Sequence, residues 1–92
     1  MSPHSVTLTW NASIPASRSA RDMVKGYYVY RSTKSHKYAK HDRLNADPIT
    51  GTNCIDKAVK PRAIYFYSVK AISQGEVESE FSDEVKAVIP RP

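Results

Sequence analysis

The sequence predicts an all-β antiparallel sandwich of about seven strands in two sheets. Three observations predict it. Several short stretches alternate apolar and polar residues with a period of two, no stretch sustains a helical period, and Pro, Gly, Asn and Asp punctuate the gaps. The 92 residues, 40% apolar and 25% charged, suit a single domain spanning 1–92, with one core.

The elements follow in order along the chain. In "SVTLTW" Val6, Leu8 and Trp10 alternate with Ser5, Thr7 and Thr9, the pattern of a strand with one face buried. In "GYYVYRS" Tyr27 and Val29 share one face, while Tyr28 and Tyr30 share the other. Weaker strands are expected at "KYAKH" and "TNCID", the second with Cys54 facing the core as a small apolar residue. In "VKPRAIYFYSVKA" Tyr65, Tyr67, Val69 and Ala71 fall on one side, with Phe66, Ser68 and Lys70 opposite. "EVKAVIP" closes the fold, with Val85 and Ala87 on one face and Pro90 as the stop.

Between these stretches lie a long polar loop from Asn11 to Lys25, with Val24 dipping back toward the core, a turn around Asn45, Asp47, Pro48 and Gly51, and a hairpin around Gly75. Residues 90–92 read as the start of a stiff linker, because proline fixes its own dihedral and extends the residue before it. No apolar run reaches the ~20 residues needed to span a bilayer, so membrane insertion is not expected. Cys54 is alone, which excludes an internal disulfide and leaves the redox compartment open. The net charge of +5 favours acidic surfaces in general.

Trp10 on an early strand, "GYYVYRS" on the next strong one, then "VKPRAIY" and a closing "SEFSDEVKAVIP" together resemble a fibronectin type III domain, an immunoglobulin-like sandwich. The variant it most resembles is the one found in bacterial secreted and surface proteins. The spacing of Val59, Pro61 and Tyr65 carries the most specific part of the likeness, although the family's usual glycine and threonine after the proline are here Arg62 and Ala63. The resemblance implies Greek-key connections and a corner role for Tyr65, with its hydroxyl bonded to backbone near Val59 to Pro61. It also implies Trp10 as the central core aromatic, with Tyr27, Val29, Tyr67 and Val69 around it, and it sets the strand of Tyr28 and Tyr30 beside that of Phe66, Ser68 and Lys70.

The outward residues Tyr28, Tyr30, Phe66 and Lys70 are therefore the candidate binding patch, aromatic with a basic edge. Cross-strand pairing on an exposed sheet face explains such a cluster without any ligand. The sharper alternative is a contact surface for protein or polysaccharide. The stretch from Arg31 to Arg43, with Lys34, Lys37 and Lys40 between, could follow an anionic polymer, but it carries no nucleic-acid motif, and nucleic acid is not the expected partner. His4, His36 and His41 lack metal-ligand spacing, the aspartates are dispersed, and no glycine-rich phosphate loop occurs. No metal, cofactor or catalytic group is expected. The family resemblance implies a non-catalytic spacer or adhesion module, monomeric in isolation, beside neighbouring domains in an extracellular or cell-envelope protein.

Overall fold

A computed structural model describes residues 4–14, 17 and 19–90. The strands are β1 (Val6–Thr9), β2 (Val24–Ser32), β3 (Asn53–Asp56), β4 (Ile64–Ser73) and β5 (Val85–Val88), with single 3-10 turns at Ala20–Asp22 and Lys40–Asp42. Antiparallel β1–β3 form one layer, and antiparallel β2–β4–β5 form the other. Segments 43–49 and 77–82 run alongside β2 and β4 and pair only at isolated bridges, bringing the total to seven strand segments in two sheets. The expected strand at "KYAKH" is absent, because its residues form the loop and 3-10 turn that lead into segment 43–49. Residues 91 and 92 of the expected linker lie outside the described residues. No helix among the described residues is long and apolar enough to cross a membrane.

Alternation places the core. Leu8 and Val6 from β1, Cys54 from β3, Val29 from β2 and Tyr65, Tyr67 and Val69 from β4 meet between the layers, joined by Val59 and Ile89 from flanking loops. Val29 and Tyr67 are 0% and 1% exposed, which makes them, rather than Trp10, the centre of the core. Trp10 lies one residue past β1, half-buried at the edge of the sandwich, with its ring edge-on to Tyr27 at 5.5 Å. Its backbone N–H still donates to the Thr52 carbonyl at 3.0 Å, continuing the β1–β3 pairing, while the ring stays partly exposed. Similarly, Val85 is exposed although it shares a face with Ala87, and Ile89, beyond the strand, closes that end of the core.

Why do the two edge segments pair so sparsely? Polar side chains occupy the positions of backbone partners. The Asn45 amide accepts from the Val29 N–H at 2.8 Å and donates to the Tyr27 carbonyl at 2.9 Å. The hydroxyls of Ser79 and Ser82 accept from the N–H groups of Ala71 and Val69, each at 2.9 Å. These contacts satisfy edge donors that a buried strand cannot leave unpaired, without a regular ladder. Gly26 permits the close crossing: a Cβ there would stand 2.6 Å from the Pro48 Cβ.

One inward position is charged. Arg31 continues the inner face of Tyr27 and Val29, at the end of the sandwich, and donates to Asp56 of the opposite layer at 2.8 Å. The Tyr67 hydroxyl donates to the same carboxylate oxygen at 2.7 Å, and the Ala58 N–H donates to the other at 3.0 Å. Burial works to raise the Asp56 carboxyl, yet the Tyr67 and Arg31 hydrogen bonds hold it below its ordinary value. A buried carboxylate with several donors ties the layers together and fixes their register at that end.

Candidate functional site

The outer face of β2 and β4 presents the residues the sequence proposes for binding. Tyr28 lies opposite Lys70, Tyr30 opposite Ser68, and Ser32 opposite Phe66. The expected exposure does not hold. Tyr28 and Tyr30 are only 9% and 6% exposed, and with Ile72 they form a second small apolar cluster. Two polar segments cover them. Residues 33–43 fold across the sheet and bring Tyr38 edge-on to Tyr30, with centroids 6.3 Å apart, while Arg43 sets its guanidinium 4.2 Å over the Tyr28 ring. From the other side Phe81 packs edge-on to Tyr30 at 5.0 Å and against Tyr38 at 5.0 Å.

Lys70 completes the cover, with its ammonium 4.4 Å above the Phe81 ring. Phe66 is half-buried farther along the sheet, opposite Lys86 of β5, and does not line this cluster. Of the four candidates, Tyr30 and Lys70 therefore come together with Tyr38, Lys40, Arg43 and Phe81, lining an open groove of about 370 Å³. Its floor is aromatic and its rim mostly basic.

Glu84 anchors the covering segment. Its carboxylate accepts from the hydroxyls of Ser35 and Tyr38 and from the His36 N–H, each at 2.6 Å. Burial would raise the Glu84 carboxyl, but the bonds from Ser35, Tyr38 and the His36 backbone overcome it and hold the group down to about 2. For the Tyr38 phenol, burial and the adjacent Glu84 charge both push upward, so it stays protonated as a donor. His36 supports the same turn with a positive φ of 56°.

On the far side of Tyr38 a second cleft of about 600 Å³ opens at the end of β2, bordered by Arg31, Lys34, Lys37, His41, Asp42 and Tyr65. The Arg31 guanidinium lies 5.1 Å above the Tyr65 ring. Tyr65 itself is buried, and its hydroxyl accepts from the Lys60 N–H at 3.0 Å, within the turn that the family resemblance singles out. His36 and His41 are exposed, and no group of three or more His, Cys, Asp or Glu among the described residues is placed to hold a metal. The half-buried Cys54 thiol is pushed up by burial, which suits a packing residue better than a nucleophile.

Sequence reasoning missed Phe81 and Glu84, and it read Tyr38 and Arg43 only as part of a basic stretch, not as cover for Tyr28 and Tyr30. The lone aromatic within the acidic run "EVESEFSDE" was the available signal for Phe81, and a weak one, because single exposed apolar residues are ordinary on protein surfaces.

The sandwich is similar to the crystal structure of a Fn3-like protein from Clostridium thermocellum, at 35% identity and a TM-score of 0.73, over 96% of this chain and 79% of that one. The chain belongs to the fibronectin type III family. No family model matches it, and no curated protein does. For a fibronectin type III domain, the fold supports a non-catalytic module. Membership also bears on Arg62: its φ is 67°, the left-handed region where the family's usual glycine is unstrained.

Proposed function

We propose that the chain is a non-catalytic fibronectin type III module that serves as a spacer or adhesion element in a larger extracellular or cell-envelope protein. The observation that carries this reading is the extent of the match, since 96% of the chain aligns with a Fn3-like sandwich, a fold that supports a non-catalytic module. The polar clusters at Asp56 and Glu84 are consistent with it, because their donors and carboxylates saturate one another. An antibody raised against the isolated domain tests the setting. Labelling of intact cells supports it, and labelling only after permeabilisation overturns it.

A second reading, a carbohydrate- or protein-binding module, is favoured by the groove around Tyr38, Phe81 and Lys70. Amide NMR shifts of these residues that saturate as soluble cell-wall oligosaccharides are added would support the carbohydrate form. An unmoved spectrum would remove it and leave a protein partner.

A further inference from the structure

The geometry points to the cleft at the end of β2 as a binding site for a linear acidic polysaccharide. This inference rests on the reading of the chain as an interaction module, and it moves the site from the aromatic groove to the opposite flank of Tyr38. Arg31, Lys34, Lys37 and His41 line the cleft, against Asp42 as the single acid of its lining. Asp42 is already engaged, accepting from the Ala39 N–H at 2.8 Å and lying 3.5 Å from the His41 imidazole. Lys34 and Lys37 have no carboxylate partner within salt-bridge distance among the described residues. Their charges are free to meet an anion.

A run of surface lysines on a mobile loop would be only a solvated face, but this run is held. Glu84 grips Ser35, His36 and Tyr38, the residues between and beside the two lysines, so the cations project from a fixed backbone. Prearranged cations bordering a concave surface concentrate an acidic polymer more strongly than scattered ones.

The aromatic geometry argues against single-stranded nucleic acid as the polymer. Nucleic acid held as a single strand stacks its bases on open ring faces. Here the Tyr65 ring is capped by Arg31, and Tyr38 packs on Tyr30 and Phe81. A chain of uronic or sulfated sugars needs no stacking platform, only cations at intervals.

The test titrates the 92-residue chain with oligogalacturonate, following amide NMR shifts at about 0.05 M and about 0.2 M salt. The expected result is saturable shifts at Lys34, Lys37 and His41, weaker at the higher salt. Lys34→Gln with Lys37→Gln should weaken binding about ten-fold. Arg21→Gln with Lys25→Gln removes the same formal charge in the 3-10 turn before β2 and at the start of that strand, roughly 25 Å away, and should change affinity less than about two-fold. Equal losses in the two double variants would overturn the site, and the absence of saturable shifts at low salt would overturn the ligand class. A short DNA duplex that binds more tightly and displaces the glycan from the same residues would replace polysaccharide with nucleic acid. Cell-surface labelling is independent of all these outcomes, so an intracellular protein with a functioning cleft, or a surface protein without one, would each be recognised.

Discussion

Tyr65 and Tyr67 share the inner face of β4, two residues apart, and their hydroxyls meet different partners. Tyr65 accepts from a neutral backbone N–H of Lys60, whereas Tyr67 donates to the buried Asp56 carboxylate. Tyr65→Phe should therefore cost about 0.5–1.5 kcal/mol, and Tyr67→Phe about 1.5–3 kcal/mol, because a charged acceptor loses a donor. Urea denaturation of both variants checks the order, and a larger loss for Tyr65→Phe would contradict the assignment. Arg62 holds a positive φ while its N–H donates to the Ile89 carbonyl at 3.1 Å. Arg62→Gly keeps that bond, relieves about 1–2 kcal/mol of left-handed strain and loses part of the gain to chain entropy. A net stabilisation of about 0.5–1 kcal/mol is expected in thermal melts. The Tyr65 corner was anticipated through the family resemblance, which the local spacing of Val59, Pro61 and Tyr65 carries. The Arg31–Asp56 pair was not, since its partners lie on different sheets.

At the scale of elements, the edges of the β2–β4–β5 layer depend on the polar segments beside them. Segment 43–49 crosses β2 so closely at Gly26 that Gly26→Ala must push Pro48 away, at a cost of about 1–3 kcal/mol. A lower denaturation midpoint with unchanged shifts on the β1–β3 side would place the damage at this crossing. The 33–43 segment depends on Glu84, whose carboxyl is held down to about 2 from an ordinary 4.5. A depressed folded value means that the stabilisation is fully present above pH 4.5 and is lost as pH falls toward about 2. Asp56, also held below its ordinary 3.8, adds to the loss in the same direction. Stability should decline across that acid window, and Glu84→Gln should be less stable at neutral pH and show a shallower decline. An identical acid profile in the variant would rule out Glu84 as a contributor.

For the whole molecule, the inner faces of β1, β2 and β4 were readable from the sequence alone, because strand periodicity is a local property and one buried face imposes it on every second residue. Val29, Tyr65, Tyr67 and Leu8 are buried where alternation puts them. The same rule sends Tyr28 and Tyr30 to the outer face correctly, yet it says nothing about what lies above that face. Their cover comes from two polar stretches, one directly after β2 and one far along the chain, and only the tertiary fold brings Tyr38, Arg43 and Phe81 together over them. Trp10 shows the converse: the family resemblance sets it at the centre of the core, but the fold leaves it half-buried at the edge, edge-on to Tyr27. By itself, then, the sequence determined the class of fold and the inward sides of β1, β2 and β4, which follow from short-range periodicity, while the tyrosine corner came through the family resemblance that the spacing of Val59, Pro61 and Tyr65 carries. The tertiary structure alone decided which outward residues stay exposed, how Asp56 is partnered, and that the basic stretch 31–43 borders a cleft, because each depends on contacts between segments whose sequences carry no mark of one another.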